Sequence, residues 1–101
     1  MLHKHLDDAE TAAEYLNEHM GYEGIKRKEL LLQAFKNVLE AQGFTNLAKK
    51  SGISRRSLHH AFSEKGNPTL DTLFALLDTI GLELHFSTST KKRKSKKSAV
   101  A

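Results

Sequence analysis

Apolar residues recur at helical spacing in five segments of this chain of 101 residues. Such spacing gathers apolar side chains on one face of a helix and leaves polar side chains on the other. The chain has the length of one domain, so the pattern predicts a single helical bundle with a modest core. The predicted helices run over about Asp8–Met20, Arg27–Gln42, Thr45–Ser51, Ser54–Ser63 and Thr69–Ile80.

The predicted helices differ in the width of their apolar faces. The second has the broadest face and should be the main core helix, with Leu30, Leu31, Ala34, Phe35, Val38 and Leu39. The fifth repeats apolar residues at i, i+3, i+4, i+7 and i+10, namely Leu70, Leu73, Phe74, Leu77 and Ile80. The first is thin and rich in alanine, and should depend on docking; its stripe is Ala9, Ala12, Ala13, Leu16 and Met20.

Small polar residues and glycines mark the ends of these helices. Asp7 or Asp8 can cap the first helix, and Ser54 and Thr69 can cap the fourth and fifth. Glycine follows the first, second, third and fifth helices, where it is a common terminator. In the loop that ends at Pro68, Gly66 and Asn67 tolerate left-handed backbone, and Pro68 prevents the helix from continuing.

After Gly81 the pattern changes from helical to alternating. Leu82, Leu84 and Phe86 alternate with polar residues, which predicts a short β-strand. A lone strand with open edges is unfavourable, so we expect it to pair with the same strand of a second copy or with a strand of another protein. The alternative is an extended arm that packs its apolar side on the helices.

The segment TNLAKKSGISRRSLHHAF, Thr45 to Phe62, predicts a helix-turn-helix. Gly52 supplies a turn where positive φ is expected, Ile53 fills the corner, and Ser54 caps the second helix. Apolar residues at helical spacing should bury one side of that second helix. Its other sides then carry polar groups suited to a DNA groove: Arg55, Arg56, Ser57, His59 and His60.

A plain helical corner has the same apolar pattern, and the charges of this segment favour a helix-turn-helix over that alternative. Residues 44 to 65 contain five Lys or Arg and one acid, Glu64. Arg55 and Arg56 lie in the first turn of the second helix, the turn that usually reaches base edges, and are predicted to contact bases or phosphates. Ser54, Ser57, His59 and His60 would supplement them. Residues at helix starts and in loops would contact phosphate: Thr45, Asn46, Lys49, Asn67 and Thr69.

The formal charge of +4 hides a strong asymmetry along the chain. Residues 1 to 23 contain one lysine and six acids, whereas KKRKSKK at 91 to 97 contains six cations. One acidic end and one basic face suggest two partners, a basic protein and nucleic acid, although a solvated helix face also explains the acids. Residues 88–101 are predicted to be a disordered basic tail that either adds nonspecific DNA affinity or only aids solubility.

Several classes of function are disfavoured by composition. The absence of cysteine excludes disulfides and thiolate metal sites. No apolar run is long enough for a membrane span, and the start MLHKHLDD lacks a signal-peptide core, so a cytoplasmic protein is expected. His59 and His60 point about 100° apart on a helix and do not chelate one ion. We expect no metal, no cofactor and no enzymatic activity.

Three stretches together resemble the antidote proteins of HigA-like addiction modules, which are small Xre-type DNA-binding antitoxins. They are AETAAEYLNEHM at 9 to 20, the helix-turn-helix, and GISRRSLHHAFSEKGNPTLDTLFALLDTIGLEL at 52 to 84. The resemblance covers about residues 9 to 86 and is most specific in SRRSLHHAFSEKGNPTLDTL. It implies an all-α, five-helix λ-repressor-like domain over residues 1–87, with a short C-terminal strand.

The resemblance also implies a function. Such proteins form dimers that repress their own operon on a palindromic double-stranded DNA operator, and they neutralise a RelE/HigB-like, mRNA-cleaving toxin by protein contact. This chain departs from the family pattern at His59 and His60, where Tyr and Arg are commoner, and in its basic tail. Two alternatives are a stand-alone Xre-type repressor without a toxin, and a protein-interaction module that does not bind DNA.

Overall fold

The computed structural model describes residues 6–21 and 24–88, and in this part it is all-helical. Its five helices confirm the predicted class and number of helices. The predicted strand is not seen: residues 82–88 have no regular secondary structure. The basic run at 91 to 97 lies outside the described residues. The helices are α1 (Ala9–Met20), α2 (Arg27–Gln42), α3 (Phe44–Ser51), α4 (Arg55–Ala61) and α5 (Leu70–Ile80).

Side-chain caps fix the starts of three helices where the sequence predicted them. The Asp8 carboxylate accepts the Thr11 N–H at 3.1 Å at the start of α1. Ser54 and Thr69 each accept the N–H three residues ahead, at 3.0 Å and 3.1 Å. Each cap satisfies a backbone donor that has no partner inside the helix. The predicted bounds of α2 are confirmed, and α3 begins one residue earlier than predicted, at Phe44.

The core is built from side chains of all five helices and of Leu6. Leu6 is buried although it precedes the first helix. The Gln42 side-chain amide donates to the carbonyls of Leu6 and Asp7, at 3.2 Å and 3.0 Å, and so ties this segment to the end of α2. Fully buried side chains include Leu39, Leu47, Leu58, Phe62 and Leu76.

Two of the predicted apolar faces are partly wrong. In α2, Leu32 is buried whereas Leu30 is 41% exposed. In α5, Leu76 is buried whereas Leu70 and Phe74 are 65% and 47% exposed. Both helices contain adjacent leucines, so the spacing of apolar residues is compatible with burying either of two neighbouring faces. Contacts with the other helices decide which face is buried. The stripe of α1 is thin, as predicted: Ala12 and Leu16 are buried, and Met20 is 48% exposed.

The contacts between helices are made mainly by α2 and α3. α1 packs on α2, and α3 packs on α2, α4 and α5. The Asn37 side-chain amide donates to the Tyr15 hydroxyl at 2.8 Å between α1 and α2. The rings of Phe35 and Phe62 lie 5.5 Å apart and join α2 to the end of α4. These contacts hold α4 on one side of the bundle, with its outer surface uncovered.

Gly66, in the loop between α4 and α5, is needed for space and does not use the left-handed backbone that glycine tolerates. It is buried, and its φ lies outside the left-handed region. A Cβ at this position would overlap the carbonyl groups of Ala61 and His60. The loop therefore passes directly against the end of α4, which fixes where α5 begins.

Candidate nucleic-acid interface

The turn between α3 and α4 has the geometry that the sequence predicted. Gly52 adopts a left-handed conformation, with φ 81° and ψ 4°, and its N–H donates to the Ala48 carbonyl. A residue with a Cβ is strained at this φ, so glycine suits the position. The Ile53 N–H donates to the Ser51 hydroxyl at 3.1 Å, and the Ile53 side chain packs against the core. Residues 52–54 thus link α3 to α4 as a helix-turn-helix.

Two buried side chains anchor α4 and decide which side faces outward. Leu58 is fully buried and Phe62 is 1% exposed. Arg55, Arg56 and Ser57 are exposed, as predicted from the apolar spacing. α4 ends at Ala61, two residues before the predicted end at Ser63, and Phe62 is its C-cap. The arginine-bearing side of a short, well-anchored helix therefore faces solvent.

Two serines at the start of α4 are hydrogen-bonded to each other. The Ser54 hydroxyl accepts the Ser57 N–H at 3.0 Å and donates to the Ser57 hydroxyl at 2.9 Å. The Ser57 hydroxyl, predicted as a DNA-contacting group, is therefore already an acceptor within the protein, while its own proton remains available to an outside acceptor. Arg55 and Arg56, which lie beside this pair and were predicted to contact bases or phosphates, are both exposed.

His59 has a structural contact that the sequence prediction missed. Its ring stacks on Phe44, with centroids 3.7 Å apart and planes 17° apart. Phe44 is buried at the start of α3, so His59 covers it and links α3 to α4. The signal in the sequence for this contact was an apolar residue, Phe44, next to the predicted start of α3. His60, its neighbour, is exposed on a different side of α4.

A cleft of about 490 Å³ lies between the end of α4 and the start of α5. The structure brings five of the predicted residues to this one cleft, two of them from the loop: Arg56, Ser57, His60, Asn67 and Thr69. Lys65 also lines it and was not among the predicted site residues. Its charge was visible in the sequence, but its position depends on the path of the loop around Gly66.

The remaining predicted residues lie on α3 or outside the cleft. Thr45, Asn46 and Lys49 are exposed on α3, and Arg55 is exposed at the start of α4. The surface of these two helices has no acidic side chain, because residues 44–63 contain no Asp or Glu. A polyanion approaching α3 and α4 therefore meets cations and hydrogen-bond donors. The exposed acids Glu64 and Asp71 follow in the loop after α4 and in the first turn of α5.

Metal sites and membrane spans are two further features to compare with the described part of the chain. Within 6–21 and 24–88, no group of three or more His, Cys, Asp or Glu is arranged to hold a metal ion. Among the helices of that same part of the chain, none has both the length and the apolar character needed to cross a membrane.

Comparisons with known proteins give one family and one relative of similar length. The family described as "Probable addiction module antidote protein" matches residues 2–88. An uncharacterized protein of Haemophilus influenzae is 33% identical over 86 residues, which are 85% of this chain and 86% of that protein. No solved structure matches the chain significantly.

Proposed function

This chain belongs to the family of addiction module antidotes, and on that premise we propose that it is a DNA-binding antitoxin with two activities. It represses its own operon as a dimer on a palindromic operator, and it neutralises a RelE/HigB-like, mRNA-cleaving toxin by contact. Family membership implies a toxin partner and a regulatory rather than enzymatic role. The DNA-binding half rests on one observation: Arg55 and Arg56 are exposed on a capped helix that follows a left-handed glycine turn.

In this mechanism α4 enters the major groove of the operator. Arg55 and Arg56 reach base edges or phosphates from its first turn, as recognition helices do. Lys65 and the residues of the cleft hold the neighbouring phosphate backbone, which fixes register without reading sequence. Lys49 and the start of α3 contact the backbone on the other side. His59 acts mainly by holding α3 and α4 together through Phe44.

A palindromic operator requires two copies related by a two-fold axis. The two recognition helices then lie about 34 to 36 Å apart, in successive major grooves. Exposed apolar side chains on α5 supply a surface for this contact. Leu70 and Phe74 are 65% and 47% exposed and lie four residues apart, so they form one stripe. Burying such a stripe against its copy gives the dimer an apolar interface.

Binding of DNA from upstream of this gene tests the DNA half. Arg55→Ala and Arg56→Ala are titrated onto a labelled upstream duplex and onto a random duplex at equal salt, by fluorescence anisotropy. Loss of a bidentate guanine contact costs about 1 to 3 kcal/mol, so the affinity for the upstream duplex should fall roughly 5- to 150-fold. The preference over random DNA should fall with it.

Arg27→Ala is the matched control, because it removes an exposed arginine outside the helix-turn-helix. It should bind the upstream duplex within about twofold of the wild type. If both α4 variants and the wild type bind upstream and random DNA equally well, the chain does not read sequence through Arg55 and Arg56, and the DNA half of the proposal fails. A protein-interaction module would then be the better description.

Co-expression with the product of the neighbouring gene tests the toxin half. If that product arrests growth alone, co-expression of this chain should restore growth, and the two proteins should purify together. A chain that binds the upstream duplex but neither protects cells nor co-purifies is a stand-alone repressor.

A further inference from the structure

A second surface lies away from α4 and has the opposite character. α1, α2, α5 and residues 81–85 surround a groove of about 600 Å³. Its walls are mostly apolar side chains: Leu16, Leu31, Phe35, Leu73, Leu77 and Leu82. Met20 and Leu84, which also line it, are 48% and 50% exposed. A soluble domain that leaves large apolar side chains open around a groove has a surface suited to binding.

The charges around this groove are predominantly negative. In the described part, α1 carries three acids, α5 two and residues 82–88 one, and these three segments contain no Lys or Arg. Glu83 lines the groove itself. Glu14 is exposed on α1, next to the groove-lining Ala13 and three residues before the groove-lining Asn17, so it borders the same face. α2 is the one of these elements that brings cations: it carries three, Arg27, Lys28 and Lys36, together with two acids.

The apolar walls and the acidic surroundings together favour one kind of binding partner for the groove. A second copy would bring like charges together across the groove, which opposes association. The chain's own segment at 91 to 97 is cationic but has no apolar side chain to fill the groove. Glu14 and Glu83 form an acidic rim beside the apolar walls of the groove. A helix with leucine-like side chains on one face and Lys or Arg along its edges complements both the walls and this rim.

We propose that this groove binds a cationic amphipathic helix of the partner toxin. The apolar face of that helix inserts between α1 and α5, and its flanking cations face Glu14 and Glu83. This inference rests on the toxin half of the proposed function, and it separates the toxin surface from the DNA surface on α4. The affinity comes mainly from the apolar contact, and the acidic rim favours the correct partner and speeds its approach.

The first experiment uses the full chain and a labelled synthetic helical peptide of leucine and lysine, measured by fluorescence anisotropy. Leu84→Asp removes an apolar side chain from the groove and adds a negative charge. If the peptide docks in the groove, affinity should fall at least tenfold, as expected when a leucine that the peptide would cover is lost. If the peptide is held only by general charge attraction, the added carboxylate should strengthen binding.

Ile25→Asp is the matched control, because Ile25 is 93% exposed and does not line the groove. It makes the same change of size and charge, and should leave peptide affinity within about twofold or raise it slightly. Equal losses in the two variants, or no loss in Leu84→Asp, would overturn the proposal. Circular dichroism of both variants verifies that the helices remain folded.

A charge-only variant tests the rim. Glu83→Gln keeps the size of the side chain, so it should weaken peptide binding severalfold at low salt and reduce its dependence on salt. Glu40→Gln, at an exposed acid of α2 that does not line the groove, should change neither. Identical salt dependence in the wild type and Glu83→Gln would contradict a role for the rim.

The same variants in cells separate this inference from the proposed function. Leu84→Asp should lose protection against the neighbouring toxin and still bind the upstream duplex, whereas Ile25→Asp should keep both. If Leu84→Asp protects as well as the wild type, the groove is not the toxin surface, although the antitoxin function stands. If the wild type itself gives no protection, the toxin half of the proposed function fails.

Discussion

The outer side of α4 and the groove beside α1 differ in almost every property that governs binding. The α4 side is cationic and polar, and its side chains project from a helix that Leu58 and Phe62 anchor from behind. The groove is concave and mostly apolar, and Glu83 lies in its wall. Cations on a projecting helix suit a grooved polyanion, whereas an apolar depression suits an inserted side chain. One small domain thus offers two surfaces that do not compete for the same ligand.

The largest expected effect comes from removing the anchor behind α4. Leu58→Ala deletes a fully buried side chain, so the free energy of unfolding should fall by about 2 to 5 kcal/mol. Because α3, α4 and α5 share that core, both DNA binding and peptide binding should weaken, which would erase the difference between the two surfaces. Urea denaturation followed by circular dichroism measures the loss.

Ile25→Ala provides the comparison for that change, since Ile25 is 93% exposed and lies in neither proposed interface. It should cost well under about 1 kcal/mol in the monomer. A similar cost for the two substitutions would show that Leu58 does not anchor α4.

An intermediate effect is expected from the cleft, and it should sharpen the contrast between the surfaces. Lys65→Gln removes a cation that we propose to neutralise a phosphate. DNA affinity should fall evenly for all sequences, and the slope of log affinity against log salt should decrease by about 1. Peptide binding in the groove should not change.

Lys26→Gln, which removes an exposed lysine before α2, is the control for this titration and should retain the wild-type slope. A sequence-dependent loss in Lys65→Gln would instead assign this side chain to base recognition. An unchanged slope would place it outside the DNA interface altogether.

The smallest effect concerns the first turn of α4. Ser54→Ala removes the hydroxyl that accepts the Ser57 N–H, and loss of such a cap costs about 1 kcal/mol. The melting temperature should fall by several degrees, as expected for a domain of this size. Operator affinity should decrease modestly because the arginines follow this cap, and groove binding should persist.

Ser87→Ala, at an exposed serine outside the helices, should leave the melting temperature unchanged. A fall as large as that of Ser54→Ala would mean that the effect of the α4 variant does not come from its cap.

Features decided by neighbouring residues were predictable from the sequence. Ser54, Thr69 and Asp8 are caps because a short polar side chain can reach a backbone N–H three residues ahead, whatever lies elsewhere in the fold. Gly52 was predictable for the same reason, since the backbone of one turn determines it. The exposure of Arg55 and Arg56 followed from the spacing of Leu58 and Phe62.

Features decided by distant residues were not predictable in this way. The buried face of α2 includes Leu32, and that of α5 includes Leu76, because other helices select one of two possible stripes. Likewise, the contact of His59 with Phe44 joins two helices, and Lys65 enters the cleft through the path of a loop. The roles of these residues in DNA binding stay predictions until the titrations are made.

Gly66 imposes a restriction on how this protein can vary. Because any side chain there would collide with the backbone at the end of α4, a library randomised at this codon and selected for repression should return glycine almost alone. The codon for Gly52 should accept asparagine as well, since that position has open space around it and asparagine tolerates its backbone conformation. The distance from α4 to α5 is therefore inherited as a fixed length, while the side chains that we propose to read DNA remain free to diverge.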